Sequence, residues 1–329
     1  MDQSFKAYQI TKDDNGQHVQ LKELTENDLP ESEVLVRIEY STVNYKDGLA
    51  MTGTVPVVRK FPMIPGVDFS GVVVESTNAD FIPGDNVILN GFGVGEIHCG
   101  GFSEFANVKS DWLIHRPEKI TSRQAMAVGT AGYTAMLCVM ALEQHGIRPE
   151  DGRIVVTGAA GGVGSVAVMI LHKLGFNVVA VTGRISESIF LTDLGATEII
   201  ERDLFSKKAA PLAKEEWAGA IDVAGGNTLA NVISQIKYGG AVAACGLADS
   251  MELATSVAPF ILRGVHLIGI DSVMAPMQKR KLAWQRIADE LDVVKLEGLS
   301  REIGLKDIPD IAEKILKGEV RGRTIVKIK

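Results

Sequence analysis

The apolar positions in the middle of the chain change from a short continuous run to a helical spacing and back. Residues 154–156 are all apolar, which is typical of a buried strand. From Val163 to Leu174 the apolar residues recur every three or four positions, and Gly175 follows as a helix stop. A second apolar run covers residues 177–181. The pattern predicts a strand, a helix and a second strand, which together form a βαβ unit.

A glycine-rich turn joins the first of these strands to the helix. Residues 158–164 read GAAGGVG, so the usual GxGxxG pattern appears as AxGxxG, with Ala159 in the first glycine position. Gly161 lets the backbone approach a phosphate, and Gly164 lets the helix pack against the strand. The first turn of the helix offers free N–H groups and partial positive charge. We interpret the turn as a dinucleotide pyrophosphate site, formed by Ala160, Gly161, Gly162 and Val163. A glycine-rich turn in a nucleotide-free α/β domain is the alternative.

The end of the second strand indicates which dinucleotide is bound. An NAD site usually has an acidic residue there, to accept hydrogen bonds from the ribose hydroxyls. This chain has Thr182, Gly183 and Arg184 instead. A guanidinium pairs bidentately with a 2′-phosphate that a carboxylate would repel. The sequence therefore predicts NADPH, the alternative being that Arg184 is a solvated strand end.

Short β-like runs separated by turn signals precede this unit, at residues 33–40, 72–75, 86–89 and 102–108. They predict a small, mostly antiparallel β domain, followed by a helix over residues 121–146. Beyond the βαβ unit, helices are predicted at 186–194 and 227–237, and strands at 198–200, 219–223, 241–245 and 264–270. Six strands with helical crossovers predict a doubly wound parallel sheet. A long helix over 276–291 and a tail with a helix and a final strand at 324–328 complete the chain.

Composition narrows the class of partner. The 329 residues carry a net charge of −7, which argues against a surface for nucleic acid or anionic membrane. The N-terminal residues show no signal-peptide pattern, and four glycines interrupt the longest apolar stretch, 154–171. The three cysteines form no C-x-x-C pair. We expect a cytoplasmic protein with small-molecule partners.

Several strings, taken jointly, resemble those of one protein family. The chain resembles the medium-chain dehydrogenase/reductase superfamily, its quinone-oxidoreductase branch and, within that, the NADPH-dependent acryloyl-CoA reductase group. The strings are NYKD at 44–47, FPMIPGVD at 61–68, GTAG at 129–132, VTGAAGGVG at 156–164 and PFILR at 259–263. The resemblance implies an α/β chain with a GroES-like β-rich catalytic domain (1–122, with 293–329 returning to it) and a six-stranded Rossmann domain (123–292). It also implies a homodimer.

The resemblance also indicates what the site lacks. Zinc alcohol dehydrogenases of the superfamily have a Cys where this chain has Asn44, a His where it has Val67, and a second Cys near Thr130. None of these three side chains offers a thiolate or imidazole, so we predict no metal. His98 and Cys99, adjacent but without further ligands, are interpreted as loop and packing residues.

The activity implied is metal-free reduction of an activated C=C bond by NADPH, with a short α,β-unsaturated acyl-CoA such as acryloyl-CoA as substrate. Tyr45 is the candidate for contacting nicotinamide and substrate, with Asn44 as its polar partner; a polar turn is the alternative reading. Lys46 and Asp47 are expected to pair, and Asp68 to cap backbone N–H groups. The resemblance further assigns cofactor contacts to Tyr45, Thr130, Arg202, Leu247, Ile261 and Ser272.

Two other functions stay open. One is a broad-specificity NADPH:quinone or enone oxidoreductase, and the other is an NADPH-binding sensor or structural protein without turnover. Isolated cations are available for the phosphates of coenzyme A, namely Arg59, Lys60, Arg263 and Arg323. The identity of the proton donor is not indicated by the sequence.

Overall fold

The computed structural model describes residues 4–328. Its strands are β1 (Phe5–Asp13), β2 (Gly16–Leu24), β3 (Val34–Thr42), β4 (Asp68–Ser76), β5 (Asn86–Asn90), β6 (Phe105–Val108), β7 (Ile114–His115), β8 (Arg153–Val156), β9 (Asn177–Thr182), β10 (Glu198–Glu201), β11 (Trp217–Asp222), β12 (Ile236–Ala244), β13 (His266–Gly269), β14 (Arg301–Gly304) and β15 (Thr324–Lys327). Its α-helices are α1 (Tyr45–Thr52), α2 (Ser122–Gln144), α3 (Gly162–Lys173), α4 (Ser188–Leu194), α5 (Gly226–Ser234), α6 (Ala258–Arg263), α7 (Met277–Glu290), α8 (Val293–Leu299) and α9 (Ile308–Leu316).

The chain divides into two compact units. Unit 1 contains the residues up to Thr130, Ser272–Ala288 and the residues from Val293 onward; unit 2 contains Ala131–Asp271 and Asp289–Asp292. The sequence places the first boundary at 122/123 and assigns residues 276–291 to the dinucleotide domain, whereas the structure groups most of α7 with unit 1. The tail returns to unit 1, where β15 pairs with β3.

Unit 1 is built on a mixed, mostly antiparallel sheet with the order β14-β15-β3-β4-β5-β7, and β6 pairs with β3. On β3, Val34, Val36 and Ile38 are fully buried on one face; on the other face Leu35 is buried in a second core cluster, while Arg37 and Glu39 are half-buried. This period-2 pattern supplies the core of the unit from one face of the strand. Helix α1 packs against α9 so closely that a Cβ on Gly48 would lie 2.8 Å from the Ile315 side chain.

The antiparallel hairpin formed by β1 and β2 was not predicted. Its register pairs Asp13 with Gly16, so that Asp14 and Asn15 form the turn, and Gly16 has a φ of 117°. The residues Asn15-Gly16 are a strong hairpin signal that the sequence reading overlooked. Isolated bridges from Ala7 to Ser103 and from Ile10 to Met63 fix the hairpin to the rest of unit 1.

Unit 2 contains the predicted parallel sheet, with the order β10-β9-β8-β11-β12-β13. The expected doubly wound fold is therefore confirmed. The central strands β8 and β11 are apolar and buried because helices cover both faces of such a sheet.

Two predicted helices differ in the structure. The helix predicted over 227–237 ends at Ser234, because residues from Ile236 onward already belong to β12. Helix α2 is interrupted at Gly129, whose φ of 53° and ψ of −162° lie outside the helical region. A Cβ there would lie 2.3 Å from the Arg323 guanidinium, so the position requires glycine. Helix α2 has the length and hydropathy of a membrane span, but 94% of its most apolar window is buried within the fold, as in a core helix.

Candidate active site

The glycine turn of unit 2 adopts the geometry of a phosphate cradle. Gly158 has a φ of 56°, and a Cβ on it would lie 2.3 Å from the Val223 side chain. Gly158 therefore makes the tight turn that Ala159 cannot make, which explains how the AxGxxG form is tolerated. A Cβ on Gly164 would lie 2.4 Å from the Gly158 carbonyl oxygen, as expected where a helix packs on its preceding strand.

Helix α3 begins at Gly162, with Gly161 as its N-cap. Its first-turn N–H groups lack intrahelical acceptors, as in every α-helix, and Ala160 to Val163 contribute this end. A Cβ on Gly161 would meet only the Gly158 carbonyl oxygen, at 3.2 Å, so the backbone here is open on the other sides. The turn has the form and polarity that a pyrophosphate requires.

A buried carboxylate supports the turn, and the sequence reading missed it. Asp222, at the end of β11, accepts hydrogen bonds from the Thr157 hydroxyl (2.7 Å) and the Gly225 N–H (2.8 Å). The Thr157 hydroxyl in turn accepts a bond from the Val223 N–H at 3.0 Å. Burial raises the pKa of Asp222, and the hydrogen bonds oppose that shift. The signal available in sequence was an Asp at the carboxyl end of an otherwise apolar strand.

Arg184 and Arg202 both lie near the end of β9. The Arg184 guanidinium donates to the Ala160 carbonyl at 3.3 Å, and its backbone N–H donates to the Thr182 hydroxyl at 3.0 Å. The Arg202 guanidinium covers Gly183, because a Cβ on that glycine would lie 3.0 Å from its Cζ. The structure thus brings Thr182, Gly183 and Arg184 together, with Arg184 against the glycine turn and Arg202 against Gly183.

The two apolar residues expected at the cofactor lie in different settings. Leu247 is 56% exposed in the loop after β12, and that loop is held at the carboxyl edge of the sheet by the Asp249 N–H, which donates to the Ala224 carbonyl at 2.9 Å. Ile261 lies on α6 and is 74% exposed. Both side chains are available for apolar contact.

Unit 1 contains a buried polar cluster around Asn44. The Asn44 amide nitrogen lies 2.9 Å from the Thr42 hydroxyl, 3.2 Å from Asp47 Oδ2 and 3.1 Å from Asp68 Oδ2. The Asn44 carbonyl oxygen accepts a bond from Arg323 Nη1 at 3.3 Å. Both the nitrogen and the oxygen of the Asn44 amide are therefore hydrogen-bonded within the protein.

The charged groups of this cluster are one guanidinium, Arg323, and two carboxylates, Asp47 and Asp68. Asp47 accepts the Val67 N–H (3.0 Å) and the Asn44 N–H (2.8 Å). Burial, and next the Asp68 carboxylate, raise the pKa of Asp47 to about 7. Burial lowers the pKa of Arg323, and the nearby carboxylates of Asp68 and Asp47 partly oppose this shift. The expected pairing of Lys46 with Asp47 is wrong: Lys46 pairs with Glu96 at 2.6 Å, while Asp47 faces the interior.

Asp68 has the structural role predicted for it. It accepts the Thr130 N–H at 2.7 Å and the Thr42 hydroxyl at 2.7 Å. Thr130, predicted to lie near the nicotinamide, is thereby fixed to the same cluster as Asn44. Tyr45, the first residue of α1, is 41% exposed, and its hydroxyl has no hydrogen-bond partner among residues 4–328.

Ser272 is joined to the same region through Asn90 and Arg280, which the sequence reading did not identify. The fully buried Arg280 guanidinium donates to the Asn90 carbonyl at 2.6 Å and the Ser272 carbonyl at 3.0 Å. Asn90 donates to the Thr130 hydroxyl at 3.3 Å and accepts the Trp284 N–H at 3.1 Å. The available signal was Arg280 itself, which occupies a position of the buried stripe of α7 with Ala283, Trp284 and Ile287.

Two of the cations proposed for coenzyme A are not available for it. Arg263 is bound by Glu215 (3.2 Å) and by the carbonyl groups of Ala213, Ser234 and Ile236. Arg323 is buried in the Asn44 cluster. Arg59 and Lys60 are exposed.

Comparison with known proteins agrees with this architecture. The family described as "Alcohol dehydrogenase GroES-like domain" matches residues 30–118, and that described as "Zinc-binding dehydrogenase" matches residues 162–289. The acrylyl-CoA reductase AcuI of Ruegeria pomeroyi is 52% identical over 98% of this chain and 99% of its own. The chain belongs to the medium-chain dehydrogenase/reductase superfamily, in its acryloyl-CoA reductase group.

Two solved structures of relatives have the same fold as this chain. The yhdH oxidoreductase from Salmonella enterica, solved in complex with NADP, has a TM-score of 0.96 and 50% identity over 98% of this chain and 100% of that chain. The Bacillus subtilis protein yhfP, solved with NAD bound, has a TM-score of 0.95 and 42% identity over 99% of this chain and 100% of that chain. It bears the name putative quinone oxidoreductase.

At the ligand positions of zinc-dependent members of the superfamily, this chain carries residues with other functions. Asn44 and Thr130 belong to the polar cluster, and Val67 is buried and gives its N–H to Asp47. Residues 4–328 contain no group of three or more His, Cys, Asp or Glu side chains arranged to hold a metal ion. The His98 ring packs edge-on against Trp112, with centroids 4.9 Å apart, and burial lowers the pKa of His98. His98 is thus a packing residue, as predicted.

Proposed function

We propose that this protein uses NADPH to reduce the activated C=C bond of a short α,β-unsaturated acyl-CoA, with acryloyl-CoA converted to propanoyl-CoA. The observation that carries the proposal is 52% identity over 98% of the chain to a protein named acrylyl-CoA reductase. The chemistry of the site agrees with it. The positions that hold catalytic zinc in alcohol dehydrogenases carry neither thiolate nor imidazole here. Conjugate reduction needs hydrogen-bond donors for the developing enolate oxygen and one proton for the α-carbon.

The residues of unit 2 fit NADPH. The first turn of α3 would hold the pyrophosphate, and Arg184 and Arg202 would hold the 2′-phosphate, with Thr182 and Gly183 beside it. When bound, NADPH supplies a hydride for the β-carbon of the substrate. The residues of this site carry two guanidinium groups where an NAD site would have a carboxylate, which favours the phosphorylated cofactor.

Within unit 1, Tyr45 is our candidate for the group that touches the substrate. Tyr45 is 41% exposed, and its hydroxyl has no partner in the described part of the chain, so it can donate a hydrogen bond or proton. Asn44 holds the start of α1 in place through Asp68 and Arg323, and Thr130 is held by the same carboxylate. Leu247, Ile261 and Ser272 would line the cofactor on the nicotinamide side.

The direct test is turnover. Purified protein is incubated with NADPH and acryloyl-CoA, and both NADPH oxidation and propanoyl-CoA formation are measured. We expect one propanoyl-CoA for each NADPH consumed. NADPH oxidation no faster than the protein-free background would overturn the proposal.

A second candidate is a broad-specificity quinone or enone oxidoreductase, favoured by the 43% identity to the putative quinone oxidoreductase YhfP over 98% of the chain. The two candidates are separated by kcat/KM values for a panel of quinones, enones and enoyl thioesters. Higher values for the thioesters support the first candidate, and higher values for quinones support the second.

An NADPH-binding sensor without turnover is the remaining alternative, because cofactor binding and catalysis are separate properties of a fold. Tight NADPH binding with no turnover on the same panel would establish it.

We further propose that the protein forms a homodimer through β13. This strand is the edge of the six-stranded sheet, and Leu267 on it is 38% exposed. An unprotected edge strand with exposed apolar side chains is a template for pairing with a second copy. Exposed Val257 and Leu262, on and before the adjacent helix α6, extend the apolar surface. A cytoplasmic location is also proposed, supported by three free cysteines, Cys99, Cys138 and Cys245.

A further inference from the structure

A concave region of unit 1 carries positive charge outside the Asn44 cluster. It has a volume of about 590 Å³ and is lined by residues of β3, β5, β15 and the start of α2. We call it the β3 groove, and its principal side chains are Arg37, Glu39, Tyr40, Asn86, Arg116 and Lys327. Its volume lies within the range of small-molecule sites, roughly 300–1,000 Å³.

Three cations of the β3 groove lack a counter-ion. The side chains of Arg37 and Lys327 make no hydrogen bond or ion pair with any of residues 4–328. The Arg116 guanidinium donates only to the Ile120 carbonyl, and its Nε–H is buried without an acceptor. Burial lowers the pKa of Arg116, which Glu39 partly opposes. An anion that binds a partly desolvated, unpaired guanidinium is held by a strong charge-assisted hydrogen bond, which lowers the free energy of the bound state.

The other charges of the groove are already engaged. Arg123 forms ion pairs with Glu297 and Glu302, both at 2.5 Å. Glu39 accepts a hydrogen bond from the Ser122 hydroxyl at 2.5 Å. Thr121 caps α2 through reciprocal bonds with Gln124, so the helix end is satisfied from within the chain. Together with Arg123 and its two partners, the groove and its rim carry four cations and three carboxylates, Glu39, Glu297 and Glu302, so positive charge is in excess by one.

Backbone hydrogen bonds hold the main chain of these three residues in place. Arg37 lies on the central strand β3, and Lys327 lies on β15 opposite Tyr40 of β3. The Arg116 N–H donates to the Asn86 carbonyl at 2.9 Å, which fixes Arg116 beside β5. Sites carried on strands are positioned more accurately than sites on loops.

We propose that the β3 groove binds the phosphoryl group of a small organic phosphate, through Arg37, Arg116 and Lys327. Guanidinium groups bind phosphate oxygens bidentately, and the Tyr40 hydroxyl and Asn86 amide can hydrogen-bond the organic part. The groove is larger than inorganic phosphate needs. It is formed by residues other than those of the Asn44 cluster and the NADPH site, so the proposal stands independently of the proposed activity.

The test is calorimetric titration of the full-length protein with two probes, adenosine 3′,5′-bisphosphate and inorganic pyrophosphate. Each titration is done with and without NADP⁺, so that binding at Arg184 and Arg202 is recognised by its loss when NADP⁺ is present. We expect one NADP⁺-insensitive site. Tighter binding of the bisphosphate supports an organic phosphate, and equal or tighter binding of pyrophosphate overturns that part of the proposal.

Four single variants assign the site. Arg37→Gln and Arg116→Gln each remove a free cation, and we expect the affinity to fall by about fivefold or more, as is typical when a charge-assisted contact is lost. Glu39→Gln removes the opposing carboxylate and should tighten binding. Lys306→Gln removes an exposed cation outside the groove and is the matched control. Binding that is absent in the wild type, or that is unchanged in both arginine variants, would overturn the proposal.

Discussion

At the residue scale, the hydrogen-bond partners and burial of a side chain in the candidate site decide its role more than its amino-acid type does. Asn44 resembles a catalytic amide in sequence, but its nitrogen and its oxygen are both committed to protein groups. Arg323 resembles a surface cation but is buried. Arg184 lies against the glycine turn, where its guanidinium donates to the Ala160 carbonyl, because the end of β9 is a defined position in the βαβ unit. Arg202, which only the family resemblance indicates, lies against Gly183.

We predict that Arg184→Ala and Arg202→Ala each raise the Kd for NADPH by about tenfold or more, since each loses a charged hydrogen bond to the 2′-phosphate. The Kd for NADH should change by less than about twofold, because NADH lacks that phosphate. Fluorescence titration of both cofactors measures the effect. Lys173→Ala, at the opposite end of α3, is the control. Equal losses for the two cofactors would refute the assignment.

The raised pKa of Asp47 predicts a pH-dependent stability. The folded-state pKa of about 7 lies above the ordinary value of 3.8, so the folded protein binds this proton more tightly than the unfolded chain does. The contribution is fully present below the ordinary value and is lost as the pH rises towards 7. The expected loss is on the order of 2–4 kcal/mol. Urea unfolding across this pH range, in wild type and Asp47→Ala, measures it.

The cause of the shift can be tested separately. Asp68→Asn removes the neighbouring carboxylate, so we expect the pKa of Asp47 to fall. Carbon-detected NMR of the aspartate carboxyl groups follows the titration. Asp310→Asn, on the surface of α9, should leave the pKa of Asp47 unchanged. A pKa for Asp47 below about 5 in the wild type would contradict the account.

At the element scale, periodicity predicted the parallel sheet and most helices, and it failed where tertiary contacts set the boundaries. Residues 235–237 look helical but pair in β12, and Gly129 interrupts a continuous apolar helix beside Arg323. The strand β14 and helix α8 were not predicted. Both are short, and β14 depends on pairing with β15 rather than on its own pattern.

Close packing of α3 on the glycine turn predicts a specific intolerance. Gly164→Ala would place a Cβ 2.4 Å from the Gly158 carbonyl oxygen, so we expect a loss of about 1–3 kcal/mol in the free energy of unfolding, and weaker NADPH binding. Gly298→Ala is the matched control, because its Cβ meets nothing within 4 Å in helix α8. That variant should gain about 0.5–1 kcal/mol. Similar effects of the two substitutions in chemical denaturation would contradict this packing argument.

At the scale of the whole molecule, the chain forms two compact units whose candidate site residues are distributed between both. The glycine turn and its arginines belong to unit 2, while Tyr45, Asn44, Thr130 and Ser272 belong to unit 1. The chain has fewer basic than acidic residues, 34 against 41. The clusters of basic side chains at Arg184 and Arg202 and in the β3 groove are therefore not explained by the overall composition.

The dimer proposal gives a prediction at this scale. Leu267→Lys places a charge on the exposed edge strand β13, and we expect it to convert the dimer to a monomer. Sedimentation should give twice 35.3 kDa for the wild type and a single 35.3 kDa chain for the variant. Leu253→Lys, at a residue of similar exposure (37%) outside β13, is the control and should stay dimeric. A monomeric wild type would refute the proposal.

The sequence by itself determined the local features: the βαβ unit, the glycine turn, the arginine at the next strand end and the absence of zinc ligands at three positions. The first three depend on residues close together in the chain, whose spacing is fixed by the geometry of a strand or helix. The missing zinc ligands at Asn44, Val67 and Thr130 follow from the family resemblance. Only the tertiary structure decided that Asp47 is buried, that Asn44 is held by Arg323, and that Asn90 and Arg280 connect Thr130 with Ser272. These contacts join residues up to 279 positions apart, and the free energy of burying their charges depends on neighbours that no local pattern specifies.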